Sequence, residues 1–263
     1  MRVNAQYNIA APHSIPIKIA GFQRRRMYDA FLAASAIAGA DTVLDLGVTS
    51  DQTYDHSNYF VHWYPYKNRI TAAGIDDASF LEQQHPGVKF VFGDGRSLPF
   101  ADQQFDFVHS SAVLEHVGSK TMQAAFLTEA WRVARKGLFL TTPNRWFPIE
   151  FHTLLPIAHW LPQPAFRKIC DMTGRSFFGC EENLNLLARS DLQRLARAAG
   201  LENVDITSVS LAGWPSNLLL CARREPCRDA GMEAHERRTS SVSPSSHDSL
   251  DRAVDDYCCA RKI

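Results

Sequence analysis

The sequence predicts an α/β protein built on a mostly parallel β-sheet with helices on both faces. Five apolar segments of strand length alternate with helical segments between residues 42 and 142. This alternation indicates a parallel sheet, because parallel strands are joined by helical crossovers. Two more strands follow late in the chain and are close enough to form an antiparallel hairpin. The predicted sheet therefore has seven strands.

The first part of the chain predicts one long helix after an irregular start. Residues 1–21 are expected to be an irregular lead-in, since two prolines interrupt them. Apolar residues then take helical spacing over residues 22–38, and Gly39 ends this helix. Arginines at positions 24–26 stand at its beginning and are interpreted as a solvated helix end.

The remaining elements follow from the same periodicities. Strands are predicted over residues 42–47, 69–76, 88–92, 105–110 and 137–142, and the closing hairpin over 204–209 and 217–222 with 214–216 as its turn. Helices are predicted over residues 58–64, 77–84, 120–134 and 190–199. An aromatic segment with several prolines, residues 145–180, breaks the alternation. It is predicted to form a helical flap over the carboxyl ends of the strands.

Residues 22–224 should therefore form one domain, followed by a tail. Residues 225–263 are rich in serine and lack apolar periodicity, which predicts a disordered segment. The formal net charge of +0 offers no basic surface for nucleic acid.

Composition also limits the compartment and the chemistry. No apolar stretch reaches the ~18 residues of a membrane span, and the N-terminus lacks the apolar run of a signal peptide. The six cysteines show no zinc-type spacing, and no other cluster predicts a metal site. A cytoplasmic protein without a metal is expected.

Carboxylates stand at the ends of three successive predicted strands. They are Asp45, Asp76 and Asp94, and Gly47 follows the first of them in a turn. Ligands of open α/β sheets bind outside the carboxyl ends of the strands, so one ligand would meet all three acids. An acid after the second strand is the usual partner of a ribose diol, and Asp94 between two glycines can accept from a purine amine. The pattern predicts a nucleotide-like ligand.

Seven segments in this order carry a family resemblance. They are residues 43–47, 74–76, 93–95, 98–100, 105–108, 113–117 and 141–144. Together they resemble class I S-adenosylmethionine-dependent methyltransferases, most closely the type 11 methyltransferase-domain group. The resemblance implies a Rossmann-like sheet and S-adenosyl-L-methionine as the cofactor.

The resemblance also implies roles for individual residues. Asp45 and Gly47 would flank the methionine part of the cofactor, and Asp76 would hold the ribose. Asp94 would bind the adenine amine, and the backbone of Gly95 or Arg96 would bind the adenine ring. His109 and Ser110 would lie near the sulfonium. The sequence departs from the family in two places. Thr49 stands where a second glycine would fall, and the interval from Gly47 to Asp76 is longer than usual.

Methyl transfer is an in-line displacement that needs a base only when the acceptor atom carries a proton. The candidate bases are His109, His116, Glu150 and His152, and the catalytic role is assigned to His152 and His116. The flap predicts a small-molecule acceptor, or one of glycan or lipid type, with an apolar portion or a sugar stacked on Trp146 or Trp160.

Two other functions remain open from the sequence. One is a non-catalytic methyltransferase-like module that binds a partner through the flap, which the Thr49 departure favours. The other is a nucleotide-sugar or dinucleotide enzyme. Against it, no G-x-x-G continuation follows Gly47 and no Tyr-x-x-x-Lys pair follows the fourth strand.

Overall fold

The computed structural model describes residues 10–54 and 57–225. These residues contain a seven-stranded sheet in the order β3-β2-β1-β4-β5-β7-β6. The strands are β1 (Val43–Leu46), β2 (Ile70–Gly74), β3 (Lys89–Phe92), β4 (Phe105–Ser111), β5 (Ala134–Pro143), β6 (Asp205–Leu211) and β7 (Trp214–Arg223). The helices are α1 (Ile15–Ser35), α2 (Tyr59–Trp63), α3 (Phe80–Gln84), α4 (Lys120–Val133), α5 (Gln163–Met172), α6 (Ser176–Gly179) and α7 (Arg189–Ala198).

The pairing of the strands confirms the predicted fold class. Strands β1 to β5 pair in parallel, and β7 pairs antiparallel with both β5 and β6. From β1 the chain first builds the sheet outward through β2 and β3, then returns to place β4 on the other side of β1. A crevice opens where the strand order reverses in this way, and α/β proteins bind ligands there.

Both faces of the sheet are covered, which explains the apolar strands. All four residues of β1 are buried, as expected of a strand between two helical layers. On one face Phe126 and Leu127 of α4 pack with α7 against the sheet. On the other face Phe31 of α1 packs against Phe60 of α2. Burial of each such side chain contributes about 1.5–3 kcal/mol.

Helix α1 begins within the segment that was predicted to be irregular. It runs from Ile15 to Ser35 and has Pro16 in its first turn. Proline is tolerated there because the first N–H groups of a helix have no partner within the helix. The helix also ends before Gly39, at Ala36, whose φ of 48° is left-handed.

The turn of the closing hairpin also differs from the prediction. Trp214 and Pro215 belong to β7 and pair with β6, so the predicted turn over residues 214–216 is wrong. The turn is formed by Ala212 and Gly213, with φ of 50° and 81°. Positive φ at both central positions is typical of a tight hairpin turn that suits the twist of the strands.

The flap, residues 145–180, contains helices α5 and α6 in its second half, whereas residues 145–157 are not helical. Helices α5 and α6 pack around Phe166, Cys170 and Phe178, together with Leu184 and Leu186. No helix in the described part of the chain is long and apolar enough to cross a membrane. Residues 1–9 of the lead-in and residues 226–263 of the predicted tail lie outside the described residues.

Candidate active site

A cavity of about 430 Å³ lies at the carboxyl ends of β1 to β4. This volume is in the range of sites for small molecules and cofactors. Among its lining residues are Arg24, Gly47, Asp76, Asp94, His116 and His152. The cavity thus joins the strand ends predicted to hold a cofactor with the two histidines predicted to be catalytic.

The turn after β1 brings the backbone close to the cavity. Gly47 has φ of +98°, and its N–H donates to the carbonyl of Ala73 over 2.7 Å. A Cβ atom on Gly47 would lie 2.2 Å from Val113, and one on Gly74 would lie 2.5 Å from the carbonyl oxygen of Val48. Both positions therefore require glycine, because neighbouring atoms lie where a Cβ atom would be.

Thr49, which replaces the family's second glycine, is held by the aromatic insert. Its N–H donates to Oδ1 of Asn58 over 2.9 Å, and Nδ2 of Asn58 donates to the Thr49 carbonyl over 3.0 Å. The unusually long interval between β1 and β2 thus supplies the residue that supports the turn. Thr49 itself lines the cavity.

Asp45, His109 and Ser110 do not line the cavity, although the resemblance implied that they would. His109 is 1% exposed, and its Nδ1 lies 2.7 Å from Oδ1 of Asp45. Its Nε2 lies 3.1 Å from the hydroxyl of Tyr59, and the Ser110 hydroxyl donates to the carbonyl of Leu46. The ring of Phe60 stacks on that of His109 with centroids 4.4 Å apart, and Phe139 of the adjacent strand lies parallel to it at 6.1 Å. These contacts connect the end of β1 to the insert. Because the ring of His109 is buried and does not line the cavity, it is not placed to act as a base.

Asp76 and Asp94, to which the resemblance assigns ribose and adenine contacts, both line the cavity. Asp94 accepts from Nε and Nη2 of Arg96 at 2.9 and 2.6 Å, and also from the Arg96 backbone N–H. These hydrogen bonds from the Arg96 side chain keep the pKa of Asp94 low. Gly95 also lines the cavity, and a Cβ there would meet the ring of Phe126 at 2.4 Å.

Arg24 is a cavity residue that the sequence interpretation missed. It was grouped with its two neighbours as a solvated helix end, yet of the three only Arg24 lines the cavity. Arg25 pairs with exposed Asp29, and Arg26 donates to the carbonyl of Ser210. Burial lowers the pKa of Arg24, but guanidinium keeps its charge in proteins. Its position one helical turn before the buried pair Met27 and Tyr28 was a signal that it faces inward.

His116 and His152 meet at the wall of the cavity through facing ring nitrogens. Their Nε2 atoms are 3.1 Å apart, although the residues come from different segments. Nδ1 of His116 donates to the carbonyl of Asn183 over 2.6 Å. Nδ1 of His152 lies 2.6 Å from Oε1 of Glu150, which also accepts the backbone N–H of His152. The two candidate catalytic residues are therefore one hydrogen-bonded unit.

Two buried carboxylates set the charges of this unit. Burial raises the pKa of Glu115, which is 0% exposed, to about 7. Burial also disfavours the charged form of Glu150, but the charge on His152 and its hydrogen bonds outweigh this and lower the pKa. Burial lowers the pKa of His152, but the charge and hydrogen bond of Glu150 and the charge of Glu115 together raise it more, so the net shift is upward. Burial lowers the pKa of His116 to about 3. A proton held by this pair therefore resides on His152 rather than on His116.

The flap tryptophans lie away from the cavity. Trp146 and Trp160 pack near each other, and Trp160 stacks on Trp214 of β7 with ring centroids 6.2 Å apart. Neither lines the cavity, so a sugar stacked on either ring would lie outside it. The apolar part of the cavity comes instead from residues such as Val113, Val117 and Phe126.

Part of the chain is similar to known methyltransferases. Residues 44–141 match a family model described as a methyltransferase domain. The demethylmenaquinone methyltransferase of Roseiflexus sp. (strain RS-1) is 33% identical over 130 residues, which are 46% of this chain and 51% of that protein. The chain spans about half the length of the curated relatives it matches.

Solved structures show the same fold at low identity. A putative methyltransferase of Bacillus halodurans C-125 is similar with a TM-score of 0.51 and 17% identity, over 77% of this chain and 100% of that chain. The [4+2]-cyclase SpnF is similar with a TM-score of 0.51 and 16% identity, over 76% of this chain and 80% of that chain. These likenesses concern the fold, which hosts more than one reaction.

The cavity fits the cofactor of this family. Gly47, Gly74 and Gly95 line it, and carboxylates stand at the ends of two successive strands for a ribose and an adenine amine. Arg24 adds a cation for a carboxylate. Residues 44–141 therefore carry a methyltransferase domain, and the strand order agrees with the fold of the similar solved structures.

Proposed function

We propose that the protein transfers the methyl group of S-adenosyl-L-methionine to a small-molecule acceptor by in-line displacement. The observation that carries this proposal is the composition of the cavity. One end has the strand-tip acids and glycines that suit the cofactor, and the other has the hydrogen-bonded pair of His116 and His152. A reaction between two molecules needs such adjacent sites, because catalysis here consists mainly of positioning the reactants.

The cofactor would bind along the ends of β1, β2 and β3. Asp76 would accept from the ribose hydroxyls and Asp94 from the adenine amine, in exchange for part of its contact with Arg96. Arg24 would hold the carboxylate of the methionine part, near the turn at Gly47. The sulfonium would then face the histidine end of the cavity.

The histidine pair would take the proton of the acceptor. His152 has the higher proton affinity of the two, because Glu150 stabilises its charged form. To accept a proton it must first be neutral, and a bound sulfonium favours the neutral ring by adding a second positive charge. His116 would share the proton through Nε2 and is held in place by Asn183. The acceptor atom is therefore proposed to be a hydroxyl or another protonated group.

The acceptor class follows from the cavity lining and from the named relatives. Val113, Val117 and Phe126 line the cavity and suit a flat, apolar ring. The relatives are named for demethylmenaquinone, a small molecule. We include acceptors with a lipid portion, whereas a glycan acceptor loses support because Trp146 and Trp160 lie outside the cavity.

The alternative function is a non-catalytic module with a degenerate cofactor turn. Thr49, in the place of a glycine, favoured this alternative. The hydrogen bonds between Asn58 and Thr49 weaken that argument, because they hold the turn in a defined shape. The two functions differ in one cheap measurement, which is calorimetry with S-adenosylhomocysteine. A catalytic protein should bind it, and a module with a degenerate turn should not.

Activity is tested with labelled S-adenosylmethionine and two acceptor pools, a lipid extract and a polar extract of cells. We expect label to enter a product of the lipid extract, identified by mass spectrometry. The Asp76→Ala protein is the matched control, because it keeps the histidine pair but loses the proposed ribose contact. Absence of cofactor binding, or label confined to the polar extract, would contradict the proposal or its acceptor class respectively.

A further inference from the structure

We propose that Glu115, His116 and His152 form a binding site for a divalent transition-metal ion. One ligand atom from each residue lies within 4.8 Å of the others. The inference goes beyond the proposed function, since ion binding requires neither cofactor nor acceptor. An ion would displace the proton of His152 and occupy both Nε2 atoms, so ion binding and the proposed base role exclude each other. No spacing in the sequence signals this site, because His116 and His152 are 36 positions apart, with His116 in a short 3₁₀ helix and His152 in the flap.

The distances suit ligands of one ion. Two imidazole nitrogens bound ~2.0–2.1 Å from one ion at angles of about 90–110° are about 2.9–3.4 Å apart. The two Nε2 atoms here are 3.1 Å apart. Oε1 of Glu115 lies 3.9 Å from Nε2 of His116, so a small side-chain movement would complete three contacts.

The orientation of both rings is the one that metal-binding histidines adopt. Such a histidine usually donates its other ring N–H to a carbonyl or a carboxylate, which fixes the ring and directs its lone pair at the ion. His116 donates Nδ1–H to the carbonyl of Asn183, and His152 directs Nδ1 to the carboxylate of Glu150. Both kinds of supporting contact are therefore already formed.

Glu115 supplies a second, independent observation. Its carboxylate is 0% exposed, and Oε2 accepts from the Thr142 hydroxyl over 3.0 Å. Oε1 is buried and has no hydrogen-bond partner among the described residues. A buried carboxylate oxygen without a hydrogen bond is costly, and a cation beside it would remove that cost.

The ligand set indicates the class of ion. Two imidazoles and one carboxylate suit zinc, cobalt or iron in the divalent state, whereas magnesium and calcium prefer oxygen ligands. His116 and His152 also line the cavity, so a further coordination position would face it and could take water or an oxygen of a small molecule.

The test titrates Zn²⁺ and, separately, Co²⁺ into the full chain after treatment with a chelator, without cofactor or acceptor. We expect one ion per chain by calorimetry, and with Co²⁺ the visible absorption of a site with fewer than six ligands. Glu150→Gln should weaken binding by about 10–100-fold, as expected when a ring loses the group that orients it. Glu115→Gln and His152→Gln should weaken it more.

The matched control is His85→Ala. His62 and His85 form another histidine pair, with ring centroids 5.6 Å apart, on the insert side of the fold. Binding should be unchanged in this variant, and its loss would place the ion there and overturn the proposal. Unchanged binding in both Glu115→Gln and His152→Gln, or no bound ion in the wild type, would also overturn it. If Glu115→Gln fails to fold by circular dichroism, His152→Gln decides alone.

Discussion

The two ends of the cavity are built in different ways. At the cofactor end, Asp76 and Asp94 stand on separate strand tips, and each is proposed to have a task of its own. At the histidine end, His116, His152 and Glu150 come from two distant segments and are joined by hydrogen bonds. A substitution of an isolated residue removes only the contacts of that residue, whereas a substitution within a hydrogen-bonded network affects all of its members. The cofactor end should therefore tolerate single changes better than the histidine end.

The largest effect is expected for His152→Ala, which removes the centre of the network. Loss of a general base lowers turnover by about 10²–10⁴-fold. Cofactor affinity should change little, because the proposed cofactor contacts lie on β1 to β3 and α1. Steady-state kinetics with an identified acceptor and calorimetry with S-adenosylhomocysteine measure the two quantities separately.

His159→Ala is the control for this variant. His159 is another buried flap histidine, but it contacts the Phe147 carbonyl over 2.8 Å and does not line the cavity. The His159→Ala substitution should lower the free energy of unfolding without a comparable loss of turnover. Equal turnover in wild type and His152→Ala would remove His152 from the mechanism and leave the network as packing.

A second large effect is expected for Gly47→Ala. The Cβ of Gly47→Ala would lie 2.2 Å from Val113, at a φ of +98°. Overpacking of this kind costs about 1–3 kcal/mol, and left-handed backbone at a residue with a side chain adds to it. Thermal melting should show a clear decrease, together with weaker binding of S-adenosylhomocysteine.

Gly174→Ala separates the clash from the backbone strain. Gly174 has a φ of +71°, but nothing lies within 4 Å of its would-be Cβ. Its melting temperature should decrease less than that of Gly47→Ala. If the two variants melt alike, the contact with Val113 is soft and the turn is less constrained than the distances indicate.

The same contrast explains what the sequence could predict. The sheet was predictable because buried parallel strands are continuous apolar runs, as in β1, and because helices of regular period separate them. The start of α1 and the hairpin turn at Ala212 and Gly213 were not, because they depend on local backbone conformation that a side-chain pattern does not record. The periodicity of apolar residues predicts which helices and strands form, whereas the residues at which they begin and end depend on local backbone geometry.

The position of Asp76 and Asp94 at one edge of the sheet was predictable for a similar reason. A residue that ends a parallel strand reaches the same edge of the sheet as the ends of its neighbours, so Asp76 and Asp94 could be assigned to one site. Asp45 and His109 are exceptions, because their side chains are buried and contact each other instead of lining the cavity. The histidine end depends on contacts between irregular segments, such as His116 with His152, which no periodicity encodes.

A smaller effect, on binding alone, is expected for Asp76→Ala. Loss of hydrogen bonds to a charged group should weaken cofactor binding by about 1–3 kcal/mol. The fold should survive, since Asp76 lies after β2 and outside the apolar core. Asp77→Ala is the matched control, because Asp77 is exposed and does not line the cavity. Equal affinities of the two folded variants in calorimetry would contradict the ribose assignment.

The smallest effect is expected for Arg96→Ala. Arg96 and Asp94 form a surface ion pair with 42% and 41% of their side chains exposed. Such pairs contribute about 0–1 kcal/mol, so the melting temperature should barely change. Alanine keeps the backbone N–H at this position, and the freed Asp94 carboxylate can accept from the adenine amine. Affinity for S-adenosylhomocysteine should therefore stay close to that of the wild type, whereas Asp94→Ala should lower it. A loss of binding in Arg96→Ala as large as in Asp94→Ala would mean that the guanidinium itself contacts the cofactor, and the cofactor end would then be a coupled network like the histidine end.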